Sequence, residues 1–444
     1  MSDRWARGVL TAYRMAGSLT YPLVGCYVGW RAARGKEDKA RRRERYGITT
    51  AERPEGGPLI WVHAASIGES VAVTPLIREI AGEGFRIVMT TGTVTSATLV
   101  EQRLSDVVIH QYVPLDLKPS VGRFLDHWRP DLAIVAESEI WPMTLMELSQ
   151  RRIPQVLVNA RLSDRSFKRW RGVPALAEAL FENLSLIVAQ SDVDGERFNM
   201  LGVRNVTVAG NLKADTPPPP LPDREAALAL AQTIGRRPTF AAISTHPGEE
   251  SLIADVHRRL AEDRPRLLTI IVPRHVERSA DIARELTAKG LRVARRSEGE
   301  LPDPTTDIYL GDTIGEMGLY LRLTEVAFIG KSLAGEGGQN PLEAAMLGTA
   351  ILSGRYVQNF RDIYQRLLNN GGARLVKDAD QLVAEVDALL GDAEARAAMI
   401  RSGKASVQEM RGALSRTMQA LEPFLHPLRL ALNFERRQRS GNGR

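Results

Sequence analysis

Cysteine is almost missing from this chain. A single residue, Cys26, among 444 leaves no intramolecular disulfide framework and no Cys-rich zinc site, and it fits a reducing compartment. Histidine is sparse as well. The seven present are scattered, and none has the close spacing of a two-His metal site. No basic stripe interleaved with aromatic residues suggests nucleic-acid binding. No small-residue cleavage site follows the apolar N-terminal stretch, so that stretch does not read as a removable signal peptide. What remains is an ordinary globular composition, 43% hydrophobic and 25% charged, long enough for two or three domains. The formal net charge of +6 suits an acidic partner such as a phosphate, a nucleic acid or an anionic lipid.

Residues 8–30 are mostly apolar, with Tyr and Trp near the ends, and are about long enough for a bilayer, which takes ~20 residues. Arg14 and Pro22 interrupt the run. A basic flank follows, with Arg31, Arg34, Lys36, Lys39, Arg41, Arg42, Arg43 and Arg45 against Glu37, Asp38 and Glu44. Positive residues beside a membrane segment stay on the cytoplasmic side and attract anionic lipid. The expectation is therefore a membrane-associated N-terminal helix with its basic flank over residues 1–46. Whether residues 8–30 span or lie in the interface stays open.

From Leu59 onward short apolar strands alternate with helices, the pattern of a parallel sheet covered on both faces. Expected strands are Leu59–His63, Arg86–Thr90, Val107–Tyr112, Leu132–Ala136, Gln155–Asn159, Leu186–Ala189 and Val206–Ala209. The proline run Thr216 to Pro222 is stiff and cannot be a helix or a central strand, so it marks a boundary. A second α/β domain follows, with expected strands Thr239–Ile243, Leu267–Val272, Arg292–Ala294, Asp307–Leu310, Val326–Ile329 and Ala350–Leu352. After about Asp378 the chain reads as helical to Leu421, and the basic tail from Phe434 reads as frayed. The expected organisation is an α/β domain over 47–214, a linker over 215–223, a second α/β domain over 224–425 and a tail over 426–444. Two such domains predict a cleft between them.

The stretch around which the chain is organised is Ile60 to Ser70. An apolar strand feeds the small residues Ala64, Ala65, Ser66 and Gly68, where backbone N–H groups can approach a ligand, and Glu69 falls at a helix tip. Glu69 can be a catalytic carboxylate or an ordinary electrostatic cap. Glu137 and Glu139 follow another strand and can orient a sugar or hold a basic partner such as Arg161. Arg161 itself suits an anion, through its planar fork. In the second half Ser244 and Thr245 close a strand before an acidic helix start. Arg274 and His275 follow the next strand as candidates for a nucleotide phosphate and base. Gly315, Glu316 and Met317 open a further helix. A glycine-rich loop then leads to Asn340 at an expected N-cap, Pro341 at the first helical position and Glu343 in the first turn, where free N–H groups can hold a phosphate. That loop is neither the Gly-x-Gly-x-x-Gly fingerprint nor a P-loop, because no Gly-Lys-Ser/Thr follows it.

These blocks in this order resemble the 3-deoxy-D-manno-octulosonate (Kdo) transferases that act on the lipid A precursor. The resemblance rests on His63–Glu69, Glu137–Pro142, Asn159–Ser163, Ser244–His246, Val272–His275, Gly311–Thr313 with Gly315 and Glu316, and Gly338–Glu343, together with Gly35–Asp38. It implies a GT-B fold, two Rossmann-like domains with the nucleotide held by the C-terminal one. It implies inverting transfer from CMP-Kdo to a glucosamine hydroxyl of the lipid A precursor, with no cofactor and no bound metal. The site would lie at the cytoplasmic face of the inner membrane, beside anionic lipids. By position Glu69 would be the general base. Ser66, Gly68, Glu137, Glu139 and Arg161 would support the acceptor side. Ser244, Thr245, Arg274, His275, Gly315, Glu316, Met317, Asn340 and Glu343 would form the CMP site. The sequence departs from the family pattern at Met143, Pro247, Lys331 and Gln339, the last two on the nucleotide side. The rivals are a UDP-sugar-dependent transferase or epimerase of the same fold, and a non-catalytic membrane-bound scaffold.

Overall fold

The structure, a computed structural model, describes residues 2–35, 37–221 and 223–441. Two compact units emerge. One is built from the chain up to Thr216 and again from Arg411, the other from Pro217–Met410.

The first unit holds a seven-stranded sheet in the order β3-β2-β1-β4-β5-β6-β7. The strands are β1 Leu59–His63, β2 Arg86–Thr91, β3 Ile109–Tyr112, β4 Leu132–Ala136, β5 Gln155–Ala160, β6 Leu186–Ala189 and β7 Val206–Val208. Every neighbouring pair is parallel. Parallel strands are buried on both faces, and β1 shows why its sequence is apolar throughout. Ile60 and Val62 pack into one core with Leu76 and Ile80, while Leu59 and Trp61 pack into another with Phe124 and Trp128. The strand order reverses between β1 and β4, so the loops after these two strands flank a switch point, where open α/β sheets place ligands.

The second unit repeats the plan. Its order is β10-β11-β9-β8-β12-β13-β14, all parallel, with the switch between β8 and β12. The strands are β8 Thr239–Thr245, β9 Leu268–Pro273, β10 Val293–Arg295, β11 Ile308–Leu310, β12 Val326–Ile329, β13 Ala350–Gly354 and β14 Ala373–Val376. β14 was not expected. Its residues Ala-Arg-Leu-Val carry an exposed Arg374 in the middle, as an edge strand can.

Two boundaries differ from the sequence reading. The expected end of the second domain at residue 425 falls inside the helix Ala413–Gly441, which belongs to the first unit. Ala413, Leu421 and Leu425 of that helix enter the core that contains Ile60 and Val62. Asp215 fixes its start by accepting from the N–H groups of Gly412 and Leu414 at 2.8 and 2.6 Å. The helix runs through Pro423 and Pro427 to Gly441, so the tail from Phe434 is helical rather than frayed as far as it is described.

The N-terminal helix Ser2–Ala33 lies against the first unit. Ala6 and Leu10 pack with Leu145, Ala179 and Leu180. Among the described residues no helix is long and apolar enough to cross a membrane. The side chains of residues 18–23, the middle of the apolar run, lie outside those described.

Candidate functional site

On the first unit the turn after β1 caps the helix that follows it. Ser66 is the N-cap of the helix Ile67–Gly82. Its Oγ receives the Glu69 N–H at 3.3 Å and donates to Glu69 Oε1 at 2.8 Å, while the Ala65 N–H donates to Oε2 at 2.8 Å. Glu69 thus takes part in the hydrogen bonding that starts the helix, which is compatible with either reading of its carboxylate. Burial pushes the Glu69 carboxyl up to about 7, and the charges of Glu137 and Glu139 add to the rise against the hydrogen bonds from Ser66 and Ala65. A carboxylate that titrates near neutrality is suited to take a proton there.

The β4 turn brings the other two carboxylates to it. Glu137 has φ +55°, and its N–H bonds the Val158 carbonyl. Glu139 accepts from the Trp141 indole N–H at 2.8 Å, and burial raises its carboxyl too. The partner of Glu137 is a residue the sequence did not single out: Lys213 Nζ donates to Glu137 Oε1 at 2.7 Å. A Cβ on Gly68 would stand 3.9 Å from the same Nζ, which places the ammonium over the first turn of the Glu69 helix. Arg161, half-buried after β5, helps offset the burial that raises the Asp194 carboxyl.

On the second unit the turns after β8, β9 and β12 meet. The Gln339 amide donates to His246 Nε2 at 3.0 Å, and the His246 and His275 rings pack edge to face with centroids 5.6 Å apart. Burial and the nearby Lys331, His275 and Arg274 push His246 down to about 4, so the ring is neutral. Glu249, fully buried, receives the N–H groups of His246, Lys331 and Ser332 at 3.0, 2.6 and 2.9 Å and ties the β8 and β12 turns together. Arg274 is exposed at this surface.

Some expected nucleotide residues are engaged inside the fold. Thr245 is fully buried and its hydroxyl donates to Glu250 at 3.0 Å. Glu316 holds Arg296 at 3.0 and 2.7 Å, and that guanidinium keeps its carboxyl below the usual range. Gly315 has φ +89°, and Met317 starts the six-residue helix Met317–Arg322. The helix after the glycine-rich loop also starts later than expected. It covers Leu342–Leu347, Pro341 is its flanking residue, and Asn340 Oδ1 accepts from the Leu342 N–H at 3.1 Å, with Glu343 half-buried in the first turn.

Among the described residues six non-glycine residues have positive φ. Four of them, Glu137, Asn159, Ser244 and Lys331, sit at the carboxyl ends of β4, β5, β8 and β12. Left-handed backbone at such residues is costly, and it concentrates at ligand sites.

Two parallel-sheet Rossmann-like units with their loops gathered at the switch points define a fold of the GT-B type. A UDP-GlcNAc 2-epimerase from Neisseria meningitidis, solved bound to UDP-GlcNAc, shares it with a TM-score of 0.54 at 14% identity, over 82% of this chain and 99% of that one. At that identity the likeness shows the fold alone. The sequence comparisons are more specific. The family described as 3-deoxy-D-manno-octulosonic-acid transferase (kdotransferase) matches residues 40–216. The 3-deoxy-D-manno-octulosonic acid transferase of Haemophilus influenzae is 36% identical over 91% of this chain and 96% of its own. The transferase of that name from Bordetella pertussis is 34% identical over 94% and 99%. The chain belongs to the 3-deoxy-D-manno-octulosonic acid transferase family and is a glycosyltransferase.

Proposed function

We propose that this enzyme moves Kdo from CMP-Kdo to a glucosamine hydroxyl of a lipid A precursor, with inversion at the anomeric carbon and without a resident metal. The observation that carries the reading is the Glu69 carboxylate, raised to about 7 at a helix tip beside the Glu137–Lys213 pair, in a chain of this family. Glu69 takes the proton of the acceptor hydroxyl as its oxygen attacks, an effect typically worth ~10²–10⁴-fold. Lys213 offsets the charge of Glu137, so that the approach of the acceptor is not met by three uncompensated carboxylates. The leaving CMP gains charge on its phosphate. The exposed Arg274 and the N–H groups around Asn340 are the groups on the second unit suited to receive it. Attack from the face opposite CMP inverts the centre.

The acceptor is a lipid, so the work is done at the cytoplasmic face of the inner membrane. The N-terminal helix supports this reading with exposed Trp5, Tyr13, Tyr27 and Trp30, side chains that suit a membrane interface.

The deciding experiment incubates the purified protein with tetraacylated precursor and CMP-Kdo generated in situ and reads the lipid by mass spectrometry. Gain of Kdo mass with CMP release supports the reading and counts the transfers. Full activity in Glu69→Gln removes Glu69 as the base. The UDP-sugar alternative keeps a foothold because the epimerase shares the fold. Thermal shift separates the two: CMP stabilises under the present reading and UDP does not.

A further inference from the structure

The basic flank after the first helix is the obvious lipid-facing charge in the sequence, and the structure commits much of it internally. Arg31 and Arg45 both pair with Glu37, at 2.7 and 2.9 Å, and Arg41 pairs with Glu44 at 2.8 Å. Arg45 is buried and donates to the carbonyls of Gly92 and Val113. Arg41 donates to the carbonyl of His110.

A second cationic surface lies on the helix Asp164–Arg171, whose sequence is Asp-Arg-Ser-Phe-Lys-Arg-Trp-Arg. Arg165, Lys168 and Arg169 are neighbours at i, i+3 and i+4 on one face, with Arg171 at the end, and all four are exposed. Among the described residues none of the four is in an ion pair. The one acid of the helix, Asp164, is held by Arg197. Like charges at this spacing repel, so the face is not arranged for stability. The opposite side anchors it: Phe167 and Trp170 pack on the core that contains Phe181 and Phe198.

Trp170 also packs against the cluster that contains Ala6 and Leu10 of the N-terminal helix. The cationic helix and the N-terminal helix thus share one packing cluster, and the N-terminal helix exposes Trp5 at 54%, Tyr13 at 43% and Met15 at 64%. Aromatic and apolar side chains next to clustered arginine and lysine match a membrane interface with anionic headgroups, the rings at headgroup level and the cations on the phosphates.

We propose that the helix Asp164–Arg171 is the headgroup-binding element of a membrane-docking surface, with Arg165, Lys168, Arg169 and Arg171 meeting anionic phospholipid. The proposal rests on the reading that the acceptor is a membrane lipid. It assigns the electrostatic contact to this helix rather than to the flank.

The test compares full-length R165Q/K168Q/R169Q/R171Q and K39Q/R42Q/R43Q with the parent, by co-sedimentation with vesicles of phosphatidylcholine alone or mixed with phosphatidylglycerol. Basic residues near an anionic surface attract it additively, so the helix variant is expected to bind the anionic vesicles at least about tenfold more weakly, with a flatter salt dependence. Binding to pure phosphatidylcholine stays as in the parent, and the flank variant loses less than the helix variant. On detergent-dispersed acceptor the helix variant keeps the parent's transfer rate. Undiminished binding to anionic vesicles overturns the proposal, as does a flank variant that is the weaker binder. An equal loss of transfer on dispersed and vesicle-borne acceptor also overturns it, because the cations would then hold phosphates of the acceptor itself. Failure of the parent to transfer Kdo would instead remove the underlying reading, and the sedimentation result does not depend on that outcome.

Discussion

Lys213 Nζ lies 2.7 Å from Glu137 Oε1, and the segment that carries the lysine is held by side chains from elsewhere in the sheet. Asn159 Oδ1, on a residue with φ +50° at the end of β5, accepts from the Leu212 N–H at 3.0 Å. Asn211 Oδ1 accepts from the Lys213 N–H itself at 3.0 Å. Residues of three loops thus set the position of one ammonium beside Glu137 of the candidate site. Removing it in Lys213→Met should lower kcat by about 10²-fold, the usual scale for loss of one charged stabilising group. CMP affinity, which the proposed function assigns to the second unit, should not change. Steady-state kinetics with calorimetric CMP binding would check this, and a kcat within twofold of the parent would exclude Lys213 from the chemistry.

The ionisation of Glu69 sets a pH dependence in two observables. Its folded pKa of about 7 lies above the ordinary carboxylate value of 4.5, so the protonated form is the one folding favours. Activity that needs the carboxylate should therefore rise with pH through about 7. Stability should run the other way. As pH climbs from 4.5 to 7 the folded state loses on the order of 2–3 kcal/mol from this group, and below 4.5 the penalty is absent. Glu69→Gln should consequently be more stable than the parent at pH 8, with the gap closing in acid. Glu137→Gln removes the nearest like charge and should move the acid limb of the rate profile to lower pH. An unmoved limb would show that Glu137 does not act on Glu69.

The strands were legible because parallel strands buried on both faces read as short apolar runs, as Ile60 and Val62 against Leu59 and Trp61 illustrate. The loops that follow them stood out as candidate sites because small residues and carboxylates stand directly after those runs. Lys213 was not, since nothing in Asn-Leu-Lys-Ala marks its lysine, and only the return of the chain after β7 brings it to Glu137. The basic flank was legible as charge but not as pairing. Which arginines face solvent depends on where Glu37 and Glu44 fold. The last helix ends at Leu421 in the sequence reading, but it continues through Pro423 and Pro427, and Leu421 and Leu425 secure it to the core.

Gly92 lies behind Glu69 and shows how closely that site is packed. Its N–H donates to the Ala65 carbonyl at 3.0 Å, its own carbonyl receives Arg45, and a Cβ there would stand 2.9 Å from the Ala65 oxygen. Ala65 in turn donates to Glu69. Gly92→Ala should push the β1 turn away and detach that hydrogen bond. The expected cost is about 1–3 kcal/mol of stability from overpacking. If Glu69 is the base as proposed, a displacement of about 1 Å there should cost on the order of 10²-fold in kcat. Ser66→Ala offers a control on the same carboxylate, since it removes the cap without the clash. A Gly92→Ala protein with parental kcat would show that the turn absorbs the methyl elsewhere.

Lys331 combines a strained backbone with a charge that acts on a neighbour. It has φ +57°, while its N–H is clamped by Glu249 at 2.6 Å, so the left-handed conformation is imposed by the buried carboxylate. A non-glycine residue there costs roughly 1–2 kcal/mol. Glycine relieves that strain but adds ~0.5–1 kcal/mol of unfolded-state freedom. Lys331→Gly should therefore be neutral to slightly stabilising, and Lys331→Val clearly destabilising, in thermal melts. The ammonium also helps depress His246, second only to burial. Lys331→Gly should raise the His246 pKa above about 4, seen as a shifted titration of its ring carbon protons by NMR, and Lys331→Met should do the same without relieving the backbone. Agreement of the two variants on the histidine and their divergence in the melt would separate the charge of Lys331 from its conformation. A His246 titration unchanged in both would mean that burial alone keeps the ring neutral.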